Sequence, residues 1–233
     1  MTELREARTF LSNHGWLSEA PVGLRTMLLS QCELRKLSRG DYAYQTGDQT
    51  NGLWGVVSGG FAFSIAPHEQ GPHMAHVFRP GFWFGEAEFL AGTSRRYDVR
   101  ATREAHCLWL SDKKLSIVLE REPRLWRLLG SLCADHLFLA IGALDDLTIR
   151  NSRARIAAIL LRLANVRLQD QPTDPTPELD ITQEDLASLA NLPRTSVTAY
   201  LGELEGEDLI QRSYGAVRII NPGGLRSLVK EEA

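Results

Sequence analysis

Ten of the 19 glycines lie between Gly40 and Gly92, and this uneven distribution constrains the fold more than any other feature of the sequence. Short runs of aromatic and β-branched residues separate these glycines, for example over residues 53–57 and 60–65. Short runs of this kind, with turn signals at regular intervals between them, are typical of an all-β roll or barrel. We therefore predict a β-roll here, preceded by one or two short helices around Leu11 and Leu28.

A long helix is predicted after Pro123, because no further proline and no turn pair occurs before Leu147. Apolar residues recur along it at spacings typical of a helix that pairs with another along its length. The chain has no second long helix to fill this seam, so we predict a homodimer; the alternative is a core helix of one domain. The dimer seam comprises Trp126, Cys133, Leu137, Ala140, Leu144 and Leu147. A second apolar set is expected to pack on the β-roll: Leu125, Leu128, Leu132 and Leu139.

The clearest motif lies near the C-terminus, where two short helices are joined by a tight turn. Thr182 is a helix-capping residue with an acid, Asp185, three positions later. Asn191 tolerates the left-handed conformation that a sharp turn requires, and a second helix runs from Arg194 to Glu205. This pattern predicts a helix-turn-helix, followed by a β-hairpin wing over residues 209–220. The alternative is a helical pair that serves only packing.

The second helix of this motif can enter a major groove with its first residues against base edges. Arg194 can donate two hydrogen bonds to guanine, and Thr195 can contact a thymine methyl group or donate to a base. Ser196 and Thr182 are better suited to phosphate. The expected DNA-binding residues are Thr182, Gln183, Arg194, Thr195, Ser196, Thr198, Ala199 and Arg212.

Charge limits how such a protein binds DNA. The net charge is −3, and residues 148–233 hold ten basic against twelve acidic side chains. A DNA-binding domain with net negative charge must have its arginines on one face. We therefore expect its affinity for DNA to depend strongly on salt concentration. We expect Arg194, Arg212 and Arg218 on that face, with four acids turned away from it: Glu203, Glu205, Glu207 and Asp208.

The chain resembles the cyclic AMP receptor protein and FNR family of bacterial transcription regulators from about residue 34 to residue 220. In the first half the resemblance rests on residues 40–48, on Val57-Ser58-Gly59 and on residues 80–86. In the second half it rests on residues 181–187 and on Pro193-Arg194-Thr195-Ser196-Val197.

The resemblance implies an α+β protein. A β-roll sensor domain of the cyclic-nucleotide-binding-like, jelly-roll type is expected over residues 1–122. A dimerisation helix and hinge follow over 123–150, and a winged helix-turn-helix domain over 151–233. The family also implies a homodimer that binds double-stranded DNA at a palindromic promoter site, with RNA polymerase as the partner of an activator.

The family's cyclic-nucleotide pocket carries over only in part. Gly85 and Glu86 match its Gly-Glu pair, and Arg96 falls at the position of its phosphate-binding arginine. Tyr97 stands where the family has a small hydroxyl residue, and two apolar residues of the long helix stand where hydroxyls contact adenine. The resemblance thus implies an effector pocket of Gly85, Glu86, Ala87, Arg95, Arg96, Tyr97, Ala140 and Ile141, with a cyclic nucleotide or another small effector as ligand. A structural ion pair between Glu86 and Arg96 is the alternative.

Other classes of sensor and of function remain as alternatives. The protein could be ligand-independent and controlled by abundance or redox, with Cys133 pairing across the seam, although a small buried apolar role is the simpler interpretation. A haem sensor would use His73 and His76, but residues three apart in a strand point to opposite faces. One cysteine in the first hundred residues argues against an iron–sulfur cluster. A cupin-like metal enzyme would need convergent histidines, so we predict no enzyme and no metal site.

The sequence also bears on location. We expect no apolar run to approach the ~20 residues of a membrane span, and the charged N-terminus lacks the apolar core of a secretion signal. We therefore expect a soluble cytoplasmic protein without a membrane partner.

Overall fold

The computed structural model describes residues 2–65, 73–167, 178–213 and 215–231. The chain divides into two compact units, Met1–Leu137 and Phe138–Ala233. The predicted α+β fold class is confirmed, since the first unit combines helices with two antiparallel sheets and the second contains a helix-turn-helix with a small sheet.

The first unit consists of a β-roll with helices on one side. Its helices are α1 (Thr2–Asn13), α2 (Val22–Gln31), α3 (Glu86–Ala91) and α4 (Asp112–Arg121), with one 3-10 turn at Trp16–Glu19; α5 (Arg124–Thr148) begins in this unit and ends in the second. Its strands are β1 (Glu33–Leu37), β2 (Tyr42–Tyr44), β3 (Leu53–Ser58), β4 (Phe61–Ile65), β5 (His73–Phe78), β6 (Trp83–Phe84), β7 (Asp98–Ala101) and β8 (Ala105–Leu110). They form two antiparallel sheets, ordered β1-β8-β3-β6 and β2-β7-β4-β5.

Strand β8 separates two hydrophobic layers, because successive side chains of a strand point to opposite faces. Cys107 lies in an aromatic layer that is shared with the second sheet and includes Phe61 and Phe84. Leu108 and Leu110 lie in an aliphatic layer formed with α1, α2, α4 and the start of α5. The predicted packing of α5 on this unit is confirmed at Leu125, Leu128 and Leu132.

Two glycines show why this half of the chain is rich in glycine. A Cβ at Gly55 of β3 would lie 2.7 Å from the Trp83 ring and 2.8 Å from Leu11 of α1, so a side chain there would displace the helix from the sheet. Gly59 turns the chain between β3 and β4 at a φ of 84°, and a Cβ there would lie 2.5 Å from the Glu104 carbonyl oxygen. Both positions therefore need glycine for a steric reason.

The long helix α5 confirms the prediction of an uninterrupted helix after Pro123. Its apolar surface is largely exposed within the chain, and the exposed large residues are Trp126, Leu137, Phe138, Ile141, Leu144 and Leu147. By length and composition alone, α5 could cross a membrane, which corrects the expectation that no apolar stretch approaches that length. One such helix is weak evidence for a span.

The second unit is a winged helix-turn-helix. Its helices are α6 (Ser152–Leu163), α7 (Gln183–Ala190), α8 (Arg194–Gly206) and α9 (Pro222–Glu231), and its strands are β9 (Glu178–Leu179), β10 (Ile210–Ser213) and β11 (Ala216–Ile219). Helix α6 is the centre of its core, because almost every residue from Ala154 to Leu163 is buried against α7, α8 and α9. Strands β10 and β11 confirm the predicted wing, whose tip residue Tyr214 lies outside the described residues. Strand β9, which pairs with β11, was not predicted.

Candidate nucleic-acid interface and effector pocket

The start of α8 is positioned by the residues around α7. Thr182 and Asp185 form the predicted capping box, in which each side chain accepts a 3.1 Å hydrogen bond from the other's backbone N–H. Helix α7 ends at Asn191, whose φ of 51° and ψ of 53° give the left-handed turn that the sequence predicts. Pro193 then precedes the first residue of α8, so Arg194 opens the second helix.

Helix α8 has one buried and one exposed face. Val197, Leu201 and Leu204 are buried in the core of the second unit. The structure brings all but one of the predicted DNA-binding residues to the starts of α7 and α8. Of these, Thr182, Arg194, Thr195, Thr198 and Ala199 are exposed, and Gln183 and Ser196 are half-buried.

A hydrogen bond joins the two helices at this surface. The Thr198 hydroxyl lies 2.8 Å from the Gln183 side-chain oxygen and 3.0 Å from the Arg194 carbonyl oxygen. Side chains that bind each other lose less conformational freedom when a ligand orders them. Gln183 and Thr198 are thus pre-positioned at one edge of the α8 N-terminus.

The arginines predicted for the DNA-binding face each lie beside a carboxylate. Arg194 is 3.9 Å from Glu184, and Arg218 pairs with Glu178. Arg212 pairs with Glu205 at 2.6 Å, and its backbone N–H also donates to that carboxylate. These bonds lower the pKa of Glu205, the backbone N–H being the largest cause. The expectation that Glu205 turns away from the arginines is therefore wrong.

The acids at the C-terminal end of α8 are also engaged. Arg153 of α6 pairs with Glu203 and with Glu207. These two carboxylates are therefore held on the α6 side of α8, as expected for acids that do not face DNA. The remaining charge at the start of α8 is the exposed pair of Arg194 and Glu184.

In the first unit, Glu86 of the expected effector pocket is buried and paired. Gly85 caps α3 at a φ of 100°, and the Glu86 side chain that follows is 1% exposed. Its Oε1 lies 2.7 Å from Nδ1 of His136 on α5, and the His136 ring stacks on Phe82 at 4.9 Å. Glu86 is thus paired with His136, and the alternative of an ion pair with Arg96 is wrong. Among the described residues, Glu86 Oε2 is buried without a hydrogen-bond partner.

Arg95 has a structural role in the same region. Its Nη1 donates to the Gly85 carbonyl at 2.9 Å and to Glu88 at 3.1 Å, and its Nη2 donates to Asn51 and to the Gly52 carbonyl. The guanidinium also lies 4.0 Å from the centre of the Tyr44 ring. At 1% exposure, Arg95 is part of the core, and its place in the effector pocket stays a prediction. The neighbouring Arg96 is exposed, and its backbone N–H donates to Glu88.

Tyr97 fills space with an aromatic ring where the family has a small hydroxyl residue. Its ring centre lies 4.3 Å from that of Phe63, and its hydroxyl donates to Glu88 at 3.3 Å. Burial, followed by the charges of Glu88 and Glu86, raises the pKa of Tyr97, so its hydroxyl is neutral. Ala87 is half-buried on α3, whereas Ala140 and Ile141 are exposed residues of the second unit.

Two polar residues that pair with the expected pocket residues were not predicted from the sequence. Glu88 binds Arg95, Arg96 and Tyr97, and its only signal was its position two residues after Glu86. His136 is a polar residue in an apolar helix and lies off the predicted seam. Its partner lies 50 residues earlier, which no local pattern indicates.

The described histidines and cysteines were compared with the arrangement that a metal site needs. His73 is exposed and His76 is buried. A bulge in the pairing of β5 with β4 places both histidines on the face of Phe63 and Ile65, so the expectation of opposite faces is wrong. Among the described residues, no group of three or more histidine, cysteine, aspartate or glutamate side chains could hold a metal ion. Cys133 is half-buried, and burial followed by the Glu86 charge raises the pKa of its thiol, which lowers its reactivity.

Comparisons with known proteins cover both units. A model described as cyclic nucleotide-binding domain matches residues 34–122, and one described as Crp-like helix-turn-helix domain matches residues 154–228. The transcriptional regulator SdrP of Thermus thermophilus is 29% identical over 176 residues, which cover 75% of this chain and 82% of that protein. The cyclic AMP receptor protein of the same organism is 27% identical over 194 residues, which cover 83% of this chain and 86% of that protein.

A solved structure supports the fold. The crystal structure of a transcriptional regulator of the CRP/FNR family, also from Thermus thermophilus, matches with a TM-score of 0.65. The match covers 86% of this chain and 100% of that chain, at 24% sequence identity. At this identity the likeness is evidence for the fold alone.

Proposed function

Because the chain belongs to the Crp/Fnr family of transcription regulators, we propose that it acts as a homodimer that reads a palindromic promoter site. The observation that carries the proposal is α8, which exposes Arg194 and Thr195 in its first turn while its other face is held in a core. The relatives are transcription regulators, so the proposed activity is DNA binding in the cytoplasm rather than catalysis. RNA polymerase is the expected partner if the protein activates transcription.

Arg194 is the proposed base-reading residue. Its side chain is 67% exposed, and its pair with Glu184 is long and solvated, so the pair contributes little and can be exchanged for guanine. The neighbouring Thr195 is proposed to contact a thymine methyl group or to donate a hydrogen bond to a base. Arg212 is bound more tightly by Glu205, and its contact with DNA remains a prediction.

A direct test compares Arg194→Ala with the wild type on a selected palindrome and on random DNA, by fluorescence anisotropy at fixed salt. We expect a loss of about 1–3 kcal/mol on the selected site and a much smaller loss on random DNA. A matched control is Arg226→Ala, since Arg226 donates to the Val166 carbonyl on another part of the unit. Equal losses on both DNAs would show that Arg194 contacts phosphate and does not read a base.

The proposed dimer uses the exposed apolar surface of α5. Leu137, Leu144 and Leu147 are exposed at heptad-like spacings, and Cys133 is half-buried on the same helix. A second copy of α5 is the occupant that such a self-complementary surface fits. Two-fold symmetry then presents two α8 helices to half-sites about one helical turn apart.

Sedimentation measures this dimer directly. Leu144→Glu places a charge in the seam, so we expect it to yield monomers. Arg127→Glu alters an exposed α5 residue outside the seam and should leave the dimer intact. A monomeric wild type would refute the dimer while leaving DNA reading by a single unit open to the anisotropy test.

The β-roll supports a regulator that works without a cyclic nucleotide. Glu86 is already paired with His136, Arg95 is held by Glu88, and Tyr97 replaces a small hydroxyl residue. A nucleotide would have to displace these contacts, and leaving buried polar groups unpaired costs about 1–3 kcal/mol each. We expect cyclic AMP to leave the anisotropy titration unchanged. A titration that tightens with cyclic AMP would instead favour a working effector pocket that uses the exposed Arg96.

A further inference from the structure

The last turns of α5 are tied to α6 by a cluster of two carboxylates and two guanidiniums. Arg162 of α6 donates from Nε to Asp146 Oδ2 at 2.6 Å. Arg167, just beyond α6, binds Asp146 Oδ1 and also Asp145 Oδ2, the latter at 2.6 Å.

Asp146 is the centre of this cluster and is completely buried. Burial raises the pKa of its carboxyl, and the two arginines oppose that effect. A buried ion pair adds little net stability compared with apolar packing, because desolvation of the charges offsets their attraction. Its directional hydrogen bonds do, however, hold two elements at one orientation. We therefore expect Asp146 to fix the orientation of α6 relative to the end of α5 rather than to add net stability.

The same helical turn of α5 also carries the proposed dimer seam. Leu144 and Leu147 are exposed on one side, whereas Asp146 is buried and bound by Arg162 on the other. One turn of α5 therefore carries Leu144 and Leu147, which face the proposed second copy, and Asp146, which binds α6. The linker between α5 and α6 is only three residues long, from Ile149 to Asn151.

Two further arginines of α6 bind groups of α7 and α8, the two helices of the helix-turn-helix. Arg155 donates to the Ile149 carbonyl at 3.0 Å and to the Ala190 carbonyl at the end of α7 at 2.9 Å. Arg153 pairs with Glu203 of α8 and with Glu207, the residue that follows α8. Hydrogen bonds and ion pairs thus hold the end of α5, α6, α7 and α8 in one arrangement.

We propose that Asp146 is a positioning residue, which fixes the reading helix α8 relative to the dimer seam and so determines the half-site spacing that the protein accepts. The proposal rests on the proposed function. Each base pair added between half-sites rotates one of them by about 35° and moves it by about 3.4 Å. We call the connection between the end of α5 and α6, residues 145–167, the joint. If the joint is rigid, a changed half-site spacing lowers the affinity of the dimer strongly; if the joint is flexible, the affinity falls less.

The test compares Asp146→Asn with its neighbour Asp145→Asn. Asp145 is largely exposed and binds only Arg167 among the described contacts, so it is a matched control. Anisotropy titrations use duplexes whose half-sites lie at the selected spacing or one or two base pairs closer or further apart, together with a single half-site. Hydrogen exchange of residues 138–163 measures the same joint without DNA.

For Asp146→Asn we expect the ratio of Kd values between altered and selected spacing to fall several-fold. Affinity for a single half-site should stay within about twofold, because the described partners of Asp146 are Arg162 and Arg167, which lie outside the exposed residues at the start of α8. Exchange should increase at the end of α5 and remain unchanged in β10 and β11. Asp145→Asn should stay close to the wild type, because it removes only the exposed bond of the cluster. Arg167→Gln, which leaves Arg162 on Asp146, should give the same changes in smaller measure, even if Asp146→Asn does not fold.

Unchanged spacing selectivity and unchanged exchange in Asp146→Asn and Arg167→Gln would overturn the proposal. A uniform loss of affinity on every duplex, the single half-site included, would also overturn it, because that result indicates a general structural role. Failure of the wild type to bind any duplex would refute the proposed function instead. In that case the exchange data alone decide whether Asp146 holds the joint.

Discussion

Replacing Arg95 with alanine should destabilise the first unit strongly, whereas replacing its neighbour Arg96 should not. Arg95 is buried, forms an ion pair with Glu88 in which both side chains are at most 2% exposed, and donates to two backbone carbonyls. Its removal leaves the Glu88 carboxylate in the core without its charge partner. Breaking a buried pair in this way costs about 3–5 kcal/mol.

Urea unfolding followed by tryptophan fluorescence measures this loss of unfolding free energy in the first unit, because all five tryptophans lie before residue 138. With a slope of about 2 kcal/mol per molar urea, the midpoint for Arg95→Ala should fall by about 1.5–2.5 M. Arg96→Ala should stay within about 0.5 kcal/mol of the wild type, as surface substitutions do.

A double variant separates the buried charge from the lost packing. Glu88→Gln combined with Arg95→Ala removes the uncompensated carboxylate, so it should be less destabilised than the sum of the single changes. Equal midpoints for Arg95→Ala and Arg96→Ala would refute the reasoning. They would mean that the 95–96 pair is oriented differently and that Arg95 is the one open to solvent.

Three further predictions concern single contacts. His136→Leu should lower the stability of the first unit by about 3 kcal/mol, because it leaves the buried Glu86 carboxylate unpaired, and adding Glu86→Gln should recover part of the loss in the same urea assay. Gly59→Ala should lower the melting temperature, since its Cβ would meet the Glu104 carbonyl, while Gly130→Ala, with open space in α5, should leave it equal or higher. The pKa of the Glu205 carboxyl should lie below the ordinary value of 4.5 in an NMR titration and should rise only part of the way in Arg212→Ala, because alanine keeps the backbone N–H that is the largest cause of the shift. The stabilising effect of this carboxylate is present above pH 4.5 and is lost as the pH falls through the lowered pKa.

Local chemistry accounts for the parts of the fold that could be predicted. Thr182 and Asp185 form a capping box because their spacing alone brings each side chain to the other's backbone N–H. Asn191 turns the chain because its side chain tolerates a positive φ. The length of α5 follows from a run without breakers, and each of these signals lies within a few residues of the structure that it predicts.

The effector pocket could be predicted only as a set of positions. Resemblance located Gly85 to Tyr97 as one region, and the structure brings those residues together. Their partners were not predictable, because Glu86 binds a histidine 50 residues away and Arg95 binds the Gly52 carbonyl 43 residues away. Arg95 and Arg96 are also the same residue type side by side, and only packing decides which one enters the core.

Local sequence signals account for the order of the main elements: a glycine-rich β-roll, one long helix with an apolar seam, and a capped helix-turn-helix with a wing. These follow from periodicity, caps and turns, which act over a few residues. The pairing of the charges depends instead on how the elements pack: Glu86 pairs with His136, Arg95 with Glu88, Arg212 with Glu205 and Asp146 with Arg162. A charge taken out of water needs a partner, and that partner is whichever group the packed elements bring within reach.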